Sequence, residues 1–198
     1  MIDERFRSWL ARSGEGPARW LAAVSTPNQL TGAAFLIALA AAWLVSRELT
    51  LPGLALWLIS RLLDGFDGLV ARISGRTSWF GGYFDITADM AAYGAMALAF
   101  ATAMPADRML WMLVLQGYLL VITSTLALSS LLERAQRDVG GNRSIRFTTS
   151  LAEGGETTIV YALIAFWPTW SRPVLVGWCL ILLLTVLQRS WVAWRLLR

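Results

Sequence analysis

Apolar residues run along this chain in long blocks separated by short polar turns, not in the strict alternation of half-buried strands. Met109 to Leu132 is uncharged for 24 residues, enough to cross a hydrocarbon core as a helix. Gln29 to Ser46 is a second uncharged run. Met90 to Met104 is apolar and extends back through Tyr83–Asp89 if two aspartates are tolerated. Pro173 to Gln188 begins on a proline suited to the first turn of a helix. Two further segments are compromised. Leu51 to Ile59 reaches a full span only by taking in Arg61, Asp64 and Asp67, and Thr157 to Pro168 only by taking in Leu151–Glu156 with its two glutamates. The pattern predicts an all-α integral membrane bundle of six transmembrane helices, near 29–46, 50–74, 80–104, 107–132, 151–168 and 173–195. Three of them carry charge at membrane depth, and such charges mark functional sites by default.

Residues 1–22 do not fit a secretory leader, because Asp3, Glu4 and four arginines leave no apolar core of sufficient length. Ile2, Phe6, Trp9, Leu10, Trp20 and Leu21 alternate with charge, and Gly14–Pro17 breaks the stretch. Short amphipathic helices at the membrane surface are expected there, ahead of a transmembrane domain over 23–198. Glu133 to Ser150 is the longest polar stretch and reads as a loop, with Gly140–Gly141–Asn142 as its turn.

Composition supports the membrane reading and narrows the chemistry. Of 198 residues 57% are hydrophobic and 15% charged, against about a quarter charged in soluble domains; the mean hydropathy is +0.56. There is no histidine and a single cysteine, Cys179, which excludes histidine acid/base chemistry, an internal disulfide and a cysteine-rich zinc site. All 17 basic residues are arginine, so lysine Schiff-base chemistry is excluded too. With six spans, the termini share a side with every arginine except Arg47, Arg108 and Arg172 on the other face and Arg61 within a span. The positive-inside rule then puts both termini in the cytoplasm of a protein in the cell membrane. The asymmetry assigns the basic excess to topology and not to nucleic acid. Most of the 11 tryptophans fall near span ends, as an interfacial belt would, and none suggests an aromatic cage.

The chemistry concentrates between Arg61 and Asp89. On a helix Asp64 and Asp67 are three apart and Asp85 and Asp89 four apart, so each pair shares a face. Gly68 and Ala71 fall on the first face, and Arg72 one step off it. Ser74–Ser78 is a polar turn joining two antiparallel helices, which brings all four carboxylates together near the cytoplasmic surface. Four such carboxylates need a compensating cation. An all-oxygen site without histidine or cysteine points to Mg²⁺ or Mn²⁺, and two such ions suit a diphosphate. Small residues at Gly68, Ala71 and Gly81 leave room for a substrate against the helix backbone. Arg61 is expected to pair with a carboxylate such as Asp64.

The run Asp64–Gly–Phe–Asp67–Gly68–Leu–Val–Ala71–Arg72, then Gly81, Asp85 and Asp89 at spacings of eight, three and three intervening residues, resembles the signature of the CDP-alcohol phosphotransferases, with every position filled. Thr26–Pro27–Asn28 and Thr31 also resemble that family's first-helix start. The resemblance implies a phospholipid-biosynthetic transferase. It would move a phosphatidyl group from a CDP-linked lipid, usually CDP-diacylglycerol, to an alcohol, releasing CMP. Carried over by position, it makes Asp64, Asp67, Asp85 and Asp89 ligands of a two-metal site, with Asp89 also the general base. It lines the nucleotide pocket with Gly68, Ala71, Arg72 and Gly81, and with Asn28 and Thr31 beside them. It implies a homodimer.

The acceptor alcohol is not specified by these motifs. A phosphorylated acceptor would suit clustered arginines, of which Arg143 and Arg146 are candidates, with Arg134, Arg137 and Arg189 further choices. A hydroxyl-rich or cationic acceptor would suit Glu153 and Glu156, one turn apart at the start of the fifth span. Two other readings of the aspartates stand beside the transferase: an intramembrane Mg²⁺-dependent prenyltransferase, and a divalent-cation transporter using them as a permeation site.

Overall fold

Thr26 opens the first long helix with a reciprocal cap. Its hydroxyl accepts from the Gln29 amide at 3.3 Å while the Gln29 side chain accepts from the Thr26 amide at 2.9 Å, and Pro27 follows at the first helical position. The structure, a computed structural model, describes residues 14–134 and 154–197. It contains seven α-helices over those residues: α1 Glu15–Val24, α2 Pro27–Ser46, α3 Thr50–Ser74, α4 Trp79–Ala103, α5 Arg108–Arg134, α6 Gly154–Phe166 and α7 Ser171–Leu197. Short 3₁₀ turns, Pro105–Asp107 and Pro168–Trp170, precede α5 and α7. Among the described residues there is no strand.

The protein is therefore an all-helical membrane bundle. Four segments are long and apolar enough to cross a membrane: Pro27–Ser46, Trp79–Ala103, Pro105–Arg134 and Pro168–Leu197. The other two expected spans are helices that differ from these. α3 has 25 residues but carries Arg61, Asp64, Asp67 and Arg72, and α6 is only 13 residues long. The surface helix runs to Val24, two residues past the expected boundary, and lies on α3. Its Ala18, Leu21 and Ala22 pack against Leu69 and Val70, while Trp20 and Val24 face outward. Residues 1–13 and most of the 133–150 stretch lie outside the described residues.

Small side chains let the helices approach closely, as expected where lipid supplies no hydrophobic drive for association. Ala34, Ala38, Ala41 and Ala42 of α2 are buried between α3 and α4. At Gly53 of α3 a Cβ would lie 2.6 Å from the Val45 side chain and 2.9 Å from the Ala41 carbonyl. Gly53→Ala is thus expected to destabilise the bundle by about 1–3 kcal/mol, since backbone cannot yield as a side chain can. Thermal unfolding in detergent measures it, and an unchanged transition would contradict so close a crossing.

Three tryptophans fall outside the interfacial belt expected of most of them. Trp57, Trp111 and Trp178 are not in an interfacial belt but fully buried, in a cluster with Tyr93, Phe100, Tyr118 and Tyr161. Phe100 stacks on Trp111 at 4.8 Å, and Trp57 meets Tyr93 and Tyr161 edge-on at 5.1 and 5.4 Å. The indoles of Trp57 and Trp178 have partners here, whereas Trp111 Nε1 is buried without one among the described residues. The Trp57 indole donates to Thr158 Oγ1 at 3.2 Å, the Trp178 indole to the Tyr118 hydroxyl at 3.3 Å, and the Tyr118 and Tyr161 hydroxyls lie 3.2 Å apart. Trp20, Trp43, Trp79, Trp167, Trp170, Trp191 and Trp194 are exposed, as a belt requires. Cys179 packs against the core and donates weakly to the Leu110 carbonyl.

At one end of the bundle the two 3₁₀ turns are tied together. Asp107 is buried and accepts from the Ser171 hydroxyl at 2.6 Å, and it lies 3.4 Å from Arg172 Nε. Asp107→Ala leaves that hydroxyl unpaired at a helix start and is expected to cost about 1–3 kcal/mol, read as a lowered unfolding temperature.

Candidate active site

α3 stops where the sequence provides a stop. Gly75 adopts the left-handed conformation, φ 66° and ψ 14°, and the Arg76 amide closes back on the Ala71 carbonyl at 3.1 Å. Three residues later the Ser78 hydroxyl accepts from the Gly81 amide at 2.9 Å and starts α4. The turn expected at Ser74–Ser78 is thus present, and it sets the two aspartate-bearing helices antiparallel. α4 starts hard against the start of α2: a Cβ at Gly81 would stand 3.0 Å from Ser78 Oγ and 3.1 Å from Asn28 Oδ1. This close approach is why glycine is needed here, and it brings Asn28 and Thr31 of α2 to the same end as the aspartates.

Asp64 and Asp67 from α3 and Asp85 from α4 offer carboxylate oxygens that all lie within 4.8 Å of one another. Asp67 is buried and accepts from the Thr31 hydroxyl at 2.5 Å. The same hydroxyl lies 3.1 Å from the Pro27 carbonyl, which fixes Thr31 to the helix cap. Oxygens bound to one Mg²⁺ stand at most roughly 4.2 Å apart, so small side-chain rotations suffice for the three to share an ion. Three carboxylates crowded at membrane depth with only oxygen donors form a set that suits a hard divalent cation.

Asp89, one turn beyond Asp85, stands apart from this trio. Its carboxylate takes a hydrogen bond from Arg61 Nη1, and the same nitrogen is 3.6 Å from Asp64 Oδ2. Arg61 therefore does pair with Asp64, as expected, but its hydrogen bond crosses to the neighbouring helix. The guanidinium also lies over the rings of Trp57 at 4.6 Å and Tyr93 at 5.2 Å, so two core aromatics do flank a cation, and that cation belongs to the protein. Sequence reasoning missed this set, although its signal was present. Trp57–Arg61 and Asp89–Tyr93 are both i,i+4 pairs, on the two helices that the Gly75 turn sets side by side.

Arg72 is exposed, and its Nη1 would lie 3.5 Å from a Cβ at Gly68, so its side chain lies across the bare backbone there. Ala71 is half-buried beside it. Of the acceptor candidates, Arg137, Arg143, Arg146 and Glu153 lie outside the described residues. Glu156 sits in the first turn of α6, and its Oε2 is buried with no hydrogen-bond partner among the described residues. Arg189 of α7 is buried and donates to the Val121 carbonyl of α5 at 2.7 Å and to the Thr125 hydroxyl.

Known proteins resemble this chain in sequence and in fold. The chain is 32% identical over 150 residues to the inner membrane protein YnjF of Escherichia coli, covering 73% of this chain and 71% of that one. It is 43% identical over 65 residues to the archaetidylinositol phosphate synthase of Pyrococcus horikoshii, covering 32% of this chain and 34% of the relative. Its fold matches that of the phosphatidylinositol phosphate synthase PgsA1 of Mycobacterium tuberculosis with CDP-DAG bound, at a TM-score of 0.69 and 22% identity over 92% of this chain and 94% of that one. The same enzyme in complex with manganese and citrate matches at 0.69 and 22%, over 90% and 88%. The family model for CDP-alcohol phosphatidyltransferase matches residues 24–194, nearly the whole chain and all of the site just described, and the chain belongs to that family.

Proposed function

We propose that this enzyme transfers a phosphatidyl group from CDP-diacylglycerol to the hydroxyl of a phosphorylated polyol, with Asp64, Asp67 and Asp85 as metal ligands and Asp89 as general base. Family membership makes it a CDP-alcohol phosphotransferase of phospholipid biosynthesis; the substrates and residue roles are our reading. The convergence of three carboxylates from two helices, with a fourth one turn away, carries it. The family match over 24–194 also favours this reading over the prenyltransferase and cation-transporter alternatives.

Mg²⁺ or Mn²⁺, two ions when substrate is bound, would neutralise the diphosphate and stabilise the entering and leaving oxygens. The protein's own groups do the rest. Asp89 takes the proton of the acceptor hydroxyl as its oxygen bonds to the lipid-side phosphorus, and the bond to the CMP oxygen breaks. Gly68, Ala71 and Gly81 present backbone where a larger side chain would block the nucleotide, Arg72 is placed to meet a phosphate, and Asn28 and Thr31 complete that pocket. The names of the archaeal relative and of the structural neighbour support a phosphorylated polyol as acceptor. Within the described residues Arg189 is the buried cation suited to its phosphate, and the buried oxygen of Glu156 is suited to its hydroxyls. Arg143, Arg146 and Glu153 remain candidates beside them.

The arginine distribution supports six spans over 23–198, with both termini and the active site cytoplasmic and residues 1–22 at the membrane surface. The protein is expected to be a homodimer in the cell membrane. The deciding measurement is mass spectrometry of lipids made by purified protein from CDP-diacylglycerol, Mg²⁺ and a pooled set of alcohols. A phosphorylated lipid product with equimolar CMP is expected. No CMP release from any acceptor by folded protein would sink the proposal.

A further inference from the structure

We propose that Arg61 is a positioning residue of this reaction: seated on Trp57 and Tyr93, its guanidinium fixes the carboxylate of Asp89 where the acceptor's proton arrives. This rests on the assignment of Asp89 as base.

An arginine in a membrane helix is costly unless its charge and donors are met. Both terminal nitrogens of Arg61 and its ring contacts are engaged, and Nε alone is buried without a hydrogen-bond partner among the described residues. Its face lies over the Trp57 and Tyr93 rings, where a desolvated cation is attracted by the ring quadrupole. Nη2 donates to Ser60 Oγ at 3.1 Å. Nη1 is left for the carboxylates, bonding Asp89 and standing 3.6 Å from Asp64. The seat is itself fixed, because Trp57 is fully buried and its indole is bonded to Thr158 of α6. Core packing thereby fixes the rings against which the guanidinium rests.

Charge compensation alone does not require this construction. A lysine at position 61 would supply the same charge as a mobile point, without the planar fork or the stacking surface. What the fork and seat add is direction. They hold Asp89 off the Asp64–Asp67–Asp85 trio, so that three carboxylates face the metal and the fourth keeps one orientation for the acceptor.

The test compares Arg61→Lys, Arg61→Met, Asp89→Asn and the Arg61→Lys/Asp89→Asn double variant in the full chain. CMP release from CDP-diacylglycerol is read with one acceptor from the pool, and Mn²⁺-supported CMP binding by calorimetry. Arg61→Lys is expected to lower kcat by roughly 10- to 100-fold, the scale of a catalytic group displaced by about 1 Å. KM for CDP-diacylglycerol and CMP affinity should stay within about threefold, because the nucleotide pocket is untouched. In the double variant the lysine should add no further loss, since the base it displaces is already gone. A wild-type kcat in Arg61→Lys would overturn the proposal, as would a raised KM with weakened CMP binding, which marks a substrate contact. If Asp89→Asn turns over normally, the base assignment itself fails, a separate outcome. Should the Arg61 variants fail to fold, Thr158→Val and Trp57→Phe loosen the seat without removing a charge. Both should lower kcat with CMP binding retained, and unchanged kcat in both would overturn the proposal.

Discussion

Asp89→Asn is expected to cut turnover by roughly 10²–10⁴-fold, the usual contribution of a positioned general base, while CMP binding in the presence of Mn²⁺ stays near that of the unaltered enzyme. The substitution is close to isosteric. The amide oxygen can still accept from Arg61, so the contact between α3 and α4 survives, and the side chain sits outside the three-carboxylate cluster. What disappears is the carboxylate oxygen that would take the acceptor's proton. A fall in kcat without a matching change in nucleotide affinity is the signature of a group used in the transition state and not in ground-state binding. CMP release at saturating CDP-diacylglycerol and acceptor measures the first, calorimetry the second. Turnover within threefold of the unaltered enzyme would remove Asp89 from the role of base.

The second large effect belongs to Asp85. Asp64 and Asp67 sit on one face of α3, three residues apart, and Asp85 is the contribution of α4 to the cluster. Asp85→Ala leaves two carboxylates from a single helix, and a hard cation bound through so few carboxylates is held weakly. CMP release is expected to fall by at least roughly 10³-fold, since a metal's charge stabilisation of several kcal/mol is lost and each 1.36 kcal/mol is tenfold in rate. Unlike Asp89→Asn, this variant should also lose Mn²⁺-supported CMP binding. Mn²⁺ should raise the unfolding temperature of the unaltered protein by mass action, and that rise should vanish in the variant. Chelation of the unaltered enzyme should reproduce the loss of turnover, with Mg²⁺ or Mn²⁺ restoring it. A variant still stabilised by Mn²⁺ would show that the metal lies elsewhere.

These expectations were largely legible in the sequence, for reasons specific to membrane helices. Carboxylates in an apolar helix stand out because nothing else there is charged, and i,i+3 and i,i+4 spacings fix which face they share. The stop at Gly75 and the cap at Ser78 were legible because local chemistry alone determines them. The partner of each side chain across a helix interface was not, because periodicity gives a face but no rotation relative to a neighbour. Arg61 was therefore assigned to Asp64 on its own helix, and its stronger contact with Asp89 went unseen. Which tryptophans leave the interfacial belt, here Trp57, Trp111 and Trp178, is illegible for the same reason. Tryptophan in a membrane helix favours the interface by composition; the hydroxyls of Thr158 and Tyr118 satisfy the buried indoles of Trp57 and Trp178, while Trp111 is buried without such a partner among the described residues.

The tie between Asp107 and Ser171 has a mechanical consequence. It fastens the start of α5 to the start of α7 at the end of the bundle away from the aspartates; α4 alone puts Ala103 roughly 20 Å from Asp89 at 1.5 Å per residue. Gly117 and Leu182 keep the same two helices in close contact farther along. A pair of rods fastened at one end can part only at the other. At that other end Arg189 bonds Val121 and Thr125 across the same two helices. Fastened at both ends of their contact, α5 and α7 are expected to move as one body against the other helices.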